Sequence, residues 1–188
     1  MTGMYRDVND DRRHRRSAIS VMLGGACVLF GLAAAGWIGG FRINTTASEP
    51  LGVWRIIPLT RPVVRGDIVF VCPPDDATMR EALRRGYLRG GLCEGGFGPL
   101  IKTVIAVPGE QIDITDQVSV EGVRVRNSTI AQRDGKGRPL HRASPGRVPP
   151  GSVFLQSEFI GSWDSRYFGS VPVTGILGLA REVLTYAP

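Results

Sequence analysis

A mainly β domain behind a single N-terminal transmembrane helix is the architecture this sequence predicts. Three observations carry it. Ser17 to Phe41 is a run of 25 residues without a charged side chain, bounded by Arg16 and Arg42. Beyond it the segments are short, rich in β-branched residues and punctuated by glycine and proline, the pattern of strands joined by turns. Only Ala77 to Leu88 interrupts that pattern, with consecutive good helix formers.

The basic N-terminus comes first. Five arginines lie in residues 1–16, against Arg42 and Arg55 in the sixteen residues after the apolar run. By the positive-inside rule, residues 1–16 are cytoplasmic and residues 42–188 face the other side, the periplasm. At 1.5 Å per residue a helix over residues 17–41 is long enough for a hydrocarbon core of about 30 Å. The lipid bilayer is therefore the first expected partner. A cleavable signal peptide is the competing reading, since Ala33, Ala34 and Ala35 supply small residues near the end of the run. Such peptides have apolar regions of about 7 to 15 residues, so this longer run favours a retained anchor. The net charge of +6 needs no nucleic acid partner, because the one arginine cluster precedes the anchor. A length of 188 residues allows about one further domain.

After the anchor, strands are expected at Gly52–Ile57, Asp67–Cys72, Leu100–Val107, Gln111–Thr115, Val118–Val120, Val123–Arg126, Ser152–Gln156 and Gly175–Leu184. Asp75 or Asp76 can cap a helix over Ala77–Leu88, and Gly90 with Gly91 can end it. The stretch RDGKGRPLHRASPGRVPP, residues 133–150, has no periodicity and reads as an exposed basic loop. Cys27 lies inside the anchor; Cys72 and Cys93 make the one pair available to the exported domain. In an oxidising compartment that pair can form a disulfide worth about 3 kcal/mol in the chain-entropy picture. A metal site is the weaker reading, because the spacing is not Cys-x-x-Cys and only His141 is left to help. No metal and no cofactor is expected.

Chemistry centres on NTTASEPLG, residues 44–52. Asn, Thr and Ser beside Pro50 and Gly52 are ordinary turn residues. If Ser48 is instead a nucleophile, a base must take its proton. His14 precedes the membrane run and His141 sits among arginines in the basic loop, so a Ser-His-Asp triad is disfavoured. The remaining scheme uses a neutral lysine. The chain has 21 arginines and only two lysines, Lys102 and Lys136, and only lysine can deprotonate in a protein. Lys136, between Gly135 and Gly137, would stay solvated. Lys102 in IKTVIAVPG shares a strand face with Val104 and Ala106, where apolar neighbours would lower its pKa from about 10.4 toward the 7 to 8 useful to a general base. Two plainer readings stand beside this one: an edge-strand lysine that discourages aggregation, and an arginine-rich composition set by codon bias. In GSWDSRYFG, residues 161–169, Ser162, Asp164 and Arg166 share one face of an extended chain. There the plainer reading is a polar turn with a surface ion pair worth at most about 1 kcal/mol.

Taken together, NTTASEPLGVW, RGDIVFVCPP, GYLRGGLCEGGFGPLIKTVIAVPGE, and VPPG followed by SWDSRYFGSVP resemble the serine/lysine signal peptidase family. Within it they resemble the conjugative-transfer branch of TraF-type pilin-maturation peptidases. The resemblance runs from about Asn44 to Val183. It implies a signal-peptidase-like β-rich exported domain with a short inserted helix, Ser48 as nucleophile and Lys102 as general base. It further implies that the Thr46 hydroxyl and the Ser48 N–H form an oxyanion hole, that Ser162 holds Lys102 by a hydrogen bond, and that Asp164 with Arg166 forms a structural ion pair. The short Ser48-Glu49-Pro50 interval, and QSEFIG at residues 156–161 where housekeeping signal peptidases carry Gly-Asp-Asn-Arg, favour the conjugation branch. The implied substrate is a membrane-inserted precursor, such as a conjugative pilin subunit, with hydrolysis or cyclisation as the product's fate. Components of a type IV secretion or conjugation apparatus are the implied partners. A general type I signal peptidase and a catalytically silent scaffold are the alternatives.

Overall fold

The computed structural model describes residues 8–187, with side chains from residue 14. The first seven residues of the basic N-terminal segment, and Pro188, lie outside the described residues. The chain divides into two compact units, Met1–Phe41 and Arg42–Pro188. The first is built on α1 (Val8–Ile38), whose stretch His14–Ile38 is long and apolar enough to cross a membrane, with a mean hydropathy of 2.1. The apolar run continues to Phe41, but the helix does not. Gly40 adopts φ 81°, which ends the helical path, and Phe41 opens a strand.

The second unit is mainly β. Its strands are β1 (Phe41–Asn44), β2 (Leu51–Ile57), β3 (Ile68–Val71), β4 (Leu100–Ala106), β5 (Gln111–Ile114), β6 (Val118–Val120), β7 (Val123–Arg124), β8 (Gly146–Arg147), β9 (Ser152–Gln156), β10 (Val171–Pro172) and β11 (Ile176–Tyr186). A seven-stranded sheet runs in the order β1-β2-β11-β3-β4-β9-β10, and a four-stranded sheet runs β7-β6-β5-β8. Strands β1, β8 and β10 were not expected from the sequence. Each is two to four residues long, too short to show a period, and forms because another strand offers its edge: β2 to β1, β5 to β8 and β9 to β10.

Alternation sorts the larger sheet into two faces. Val69 and Val71 of β3, Val104 of β4, and Val153 and Leu155 of β9 pack in one apolar cluster with Met79, Leu88 and Phe97. Phe70 and Ile101 point the other way, onto Trp54. A third cluster joins the sheets, with Ala106 and Phe154 against Ile112, Ile114, Val118 and Val120.

Helix α2 (Ala77–Arg85) is capped by Asp76, whose carboxylate accepts from the Met79 N–H at 2.8 Å. The expected helix ran to Leu88. Gly86 ends it three residues sooner by turning into the left-handed region at φ 81°, and the Gly86 and Tyr87 N–H groups close the last turn on Leu83 and Ala82 carbonyls. Met79 and Ala82 are its buried face. A Cys72–Cys93 disulfide, with Cα atoms 5.5 Å apart, closes the segment that contains α2.

Around residues 161–169 the backbone is not extended. Asp164 caps the one-turn helix α3 (Ser165–Phe168), accepting from the Arg166 N–H. The ion pair survives this change because the turn still directs both side chains together: Arg166 Nε reaches Asp164 Oδ1 at 2.8 Å and a terminal nitrogen reaches Oδ2 at 2.8 Å. It is not a surface pair. Both side chains are 0% exposed, and Arg166 also donates to the carbonyls of Thr129 at 3.1 Å and Ser162 at 3.2 Å. The fork therefore ties the loop after β7 to the segment that carries Ser162.

Two stability outcomes are expected. Replacing both Cys72 and Cys93 by serine should lower the unfolding free energy by about 3 kcal/mol; an unchanged urea midpoint would remove the disulfide from the stabilising set. Arg166→Met leaves a buried carboxylate unpaired and should cost about 3 to 5 kcal/mol, read as a large fall in thermal midpoint, while a shift within error would mean the pair is dispensable.

Candidate active site

The turn between β1 and β2 presents Ser48, and a single amide side chain holds its shape. Asn44, 9% exposed, donates through Nδ2 to the carbonyls of Thr46, Glu49 and Pro50 at 3.0, 2.9 and 3.0 Å. Its Oδ1 accepts from the Thr46 N–H at 3.1 Å and the Thr46 hydroxyl at 2.8 Å. A side chain that satisfies backbone groups this way substitutes for a secondary-structure ladder. Two further donors pin the turn to the domain: buried Trp54 Nε1 to the Pro50 carbonyl at 2.8 Å, and the Ser157 hydroxyl to the Ser48 carbonyl. Asn44, Trp54 and Ser157 were not singled out from the sequence. Asn44 opens the quoted motif, but only the fold shows that it reaches five groups at once.

Lys102 lies on β4, which is the fifth strand of seven in its sheet and not an edge. It stands opposite Val69 of β3 and on the face of Val104, so its side chain emerges among the apolar cluster of that face. It is 2% exposed. Burial lowers its pKa from 10.5 to about 8, because the ammonium loses water that apolar neighbours do not replace. The charges of Asp164 and Glu49 act the other way, and Arg166 adds to the lowering. Lys136 is exposed, as a solvated lysine between two glycines should be.

Ser48, Lys102, Thr46 and Ser162 line one cavity of about 300 Å³. A larger cavity, about 790 Å³, includes His141 in its lining but neither a serine nor a lysine. The serine and the lysine are thus brought together in the smaller one. No hydrogen bond joins Ser48 Oγ to Lys102 Nζ in this state; catalytic hydrogen bonds commonly tighten only when substrate is bound.

Two expectations are altered by the geometry. The Ser162 hydroxyl is buried with no hydrogen-bond partner, so the expected bond from Ser162 to Lys102 is not formed here. The Thr46 hydroxyl has its one proton committed to Asn44 Oδ1 and would have to rotate to serve an oxyanion. Asp164 and Arg166 do not line the cavity; they act on Lys102 from behind it through their charge. Cys72 and Cys93 also stay outside the lining.

Glu49 is an addition. It follows Ser48 directly, and one carboxylate oxygen is buried without a partner. Its pKa is raised from 4.5 to about 7, first by burial, with Lys102 opposing and Glu158, Glu182 and Asp164 contributing. A hydroxyl on a braced turn and a desolvated amine can together carry out acyl transfer without imidazole or metal. Among the described residues no group of three or more His, Cys, Asp or Glu side chains is placed to hold a metal ion.

Comparison with known proteins places the chain in a family. The family described as Signal peptidase, peptidase S26, matches residues 16–185. A "Probable conjugal transfer protein TraF" of Sinorhizobium fredii is 55% identical over 177 residues, covering 93% of this chain and 94% of that protein. A "Conjugal transfer protein TraF" of Agrobacterium fabrum is 50% identical over 174 residues, covering 93% and 99%. Among solved structures, a signal peptidase I from Enterococcus faecalis covers 63% of this chain and 97% of its own, at 18% identity and a TM-score of 0.38. On the family match and the two TraF relatives, the chain belongs to the signal peptidase family, peptidase S26, and its role is that of a signal-peptidase-like serine endopeptidase.

Proposed function

We propose that this protein is a membrane-anchored endopeptidase of the Ser/Lys type that cuts an exported precursor, a conjugative pilin subunit by preference. The observation that carries the mechanism is the shared cavity of Ser48 and a buried, deprotonation-prone Lys102. The pilin assignment draws on the conjugal-transfer names of relatives at 50% identity or more. Anchoring by α1, with the catalytic unit in the periplasm, draws on the arginine asymmetry and on the helix's length and hydropathy.

Neutral Lys102 takes the hydroxyl proton of Ser48 as Oγ attacks the scissile carbonyl. The Ser48 N–H, joined by the Thr46 hydroxyl once it turns from Asn44, steadies the oxyanion. The tetrahedral adduct collapses, the C–N bond breaks, and Lys102 returns the proton to the leaving amine. The acyl-enzyme is then released by water, giving a linear product, or by an amine of the substrate, giving a cyclic one. The general signal peptidase alternative differs only in substrate range; the scaffold alternative leaves the buried lysine without a purpose.

Substrate processing is checked by the intact mass of the pilin encoded beside this gene, in cells carrying the native enzyme or Ser48→Ala. Shortening only with the native enzyme is expected, and a product one water lighter than the linear fragment marks cyclisation. Equal masses would overturn either the nucleophile or the pilin assignment. In vitro, Ser48→Ala should lower kcat/KM by about four orders of magnitude or more.

The pH dependence follows from Lys102. Activity requires its neutral form, so kcat/KM should rise with pH and reach half its plateau near pH 8, the lowered pKa of the amine. A profile that is flat from about pH 5 to 9 would rule out a lysine base.

A further inference from the structure

We propose that Arg89 forms a carboxylate-binding subsite at the rim of the Ser48 cavity, taking an acidic group of the precursor close to the bond that is cut. The inference rests on the peptidase reading above and adds a specificity to it. Arg89 lines the same cavity as Ser48 and Lys102, and none of the residues lining that cavity is an aspartate or glutamate. Since Lys102 works in its neutral form, Arg89 is the permanent charge in that lining.

The guanidinium is free to take a ligand. Arg89 is exposed, and among the described residues it lies within ion-pair distance of no carboxylate. Seven other arginines, from Arg61 to Arg166, do pair with one. An unpaired guanidinium beside a concave, partly desolvated wall matches a carboxylate in shape and charge, since its planar fork can donate two parallel hydrogen bonds.

The backbone that carries Arg89 is braced. Its carbonyl accepts from the Gly98 N–H at 2.7 Å, the Gly91 N–H reaches the Gly96 carbonyl at 2.9 Å, and the Cys93 N–H reaches the Phe97 carbonyl at 2.9 Å. Gly90 and Phe97 form a β-bridge. The two limbs approach so closely that a Cβ on Gly91 would stand 2.6 Å from Gly98 Cα, and the disulfide anchors Cys93 to the end of β3. A loop held this firmly on the rim keeps the arginine's base fixed while its side chain reaches a ligand. The bracing gives the Cys72–Cys93 link a part in substrate recognition as well as in stability.

An aspartate or glutamate side chain and a terminal carboxylate share this chemistry, and the experiment separates them. Full-length enzyme in detergent micelles is given matched peptides with a small residue before the scissile bond. Single positions on either side are varied among Glu, Gln and Lys, and the C-terminus is either free or amidated. The expected result is a preference of about tenfold in kcat/KM, mostly through KM, for an acidic group at one position. Loss of the preference on amidation, with no response to Glu against Gln, identifies the terminal carboxylate; the reverse identifies a side chain. Arg89→Gln should abolish the preference and Arg89→Glu should invert it toward Lys, an inversion that misfolding cannot produce. Ser48-dependent cleavage that ignores charge at every position, or a preference that survives Arg89→Gln, would overturn this inference alone. Absence of any Ser48-dependent cleavage would overturn the peptidase reading along with it.

Discussion

Desolvation of one amine organises the β-rich unit. A lysine ammonium taken from water into an apolar cluster loses hydration worth several kcal/mol unless it gives up its proton. Lys102 is placed where that loss is unavoidable, on a central strand facing Val69, with Val104 on the same face. The strand order matters here as much as the residue. At the edge of the sheet the same side chain would have curled into solvent and kept an ordinary pKa. The partly buried Glu49 and the buried Asp164 and Arg166 then trim the amine's basicity in opposite directions. The result is a buried amine whose pKa is lowered to about 8.

The turn that carries Ser48 is held rigidly, and the protein holds it without secondary structure. Residues 45–50 lie between two strands, and their carbonyls are collected by the Asn44 amide, the Trp54 indole and the Ser157 hydroxyl. The second wall of the cavity is mounted differently. There the buried Arg166 fork gathers carbonyls from two separate segments, which fixes the backbone on either side of Ser162 and Trp163. A charged pair in the interior is seldom the most stable filling for that volume. Its value here is geometric, because a guanidinium donates in several directions from one plane.

Much of this was legible in the chain. The uncharged run, the strands β3 and β4, and a helix capped by one of Asp75 and Asp76 each follow from local chemistry and reappear in the structure at nearly the same residues. What escaped did so for identifiable reasons. Strands β8 and β10 are two residues each, too short to have a pattern. Gly90 and Gly91 give the stronger helix-stop signal in the sequence, but one left-handed residue, Gly86, suffices. Residues 161–169 read as extended because their polar residues alternate, whereas Asp164 used its carboxylate to start a helical turn.

The sequence by itself determined which groups were available: one serine on a proline-marked turn, one lysine in an apolar strand, one pair of cysteines outside the N-terminal apolar run, and that run ahead of them all. These are properties of composition and short-range pattern, and short-range forces suffice to set them. Only the tertiary structure decided that Ser48 and Lys102, 54 positions apart in the chain, open onto one cavity, that β4 lies inside the sheet and not at its rim, and that Arg89 stands on a braced loop beside them. Burial is a property of the whole packed unit. The electrostatic state of an amine, and the freedom of a guanidinium to take a ligand, depend on neighbours that arrive from distant parts of the chain.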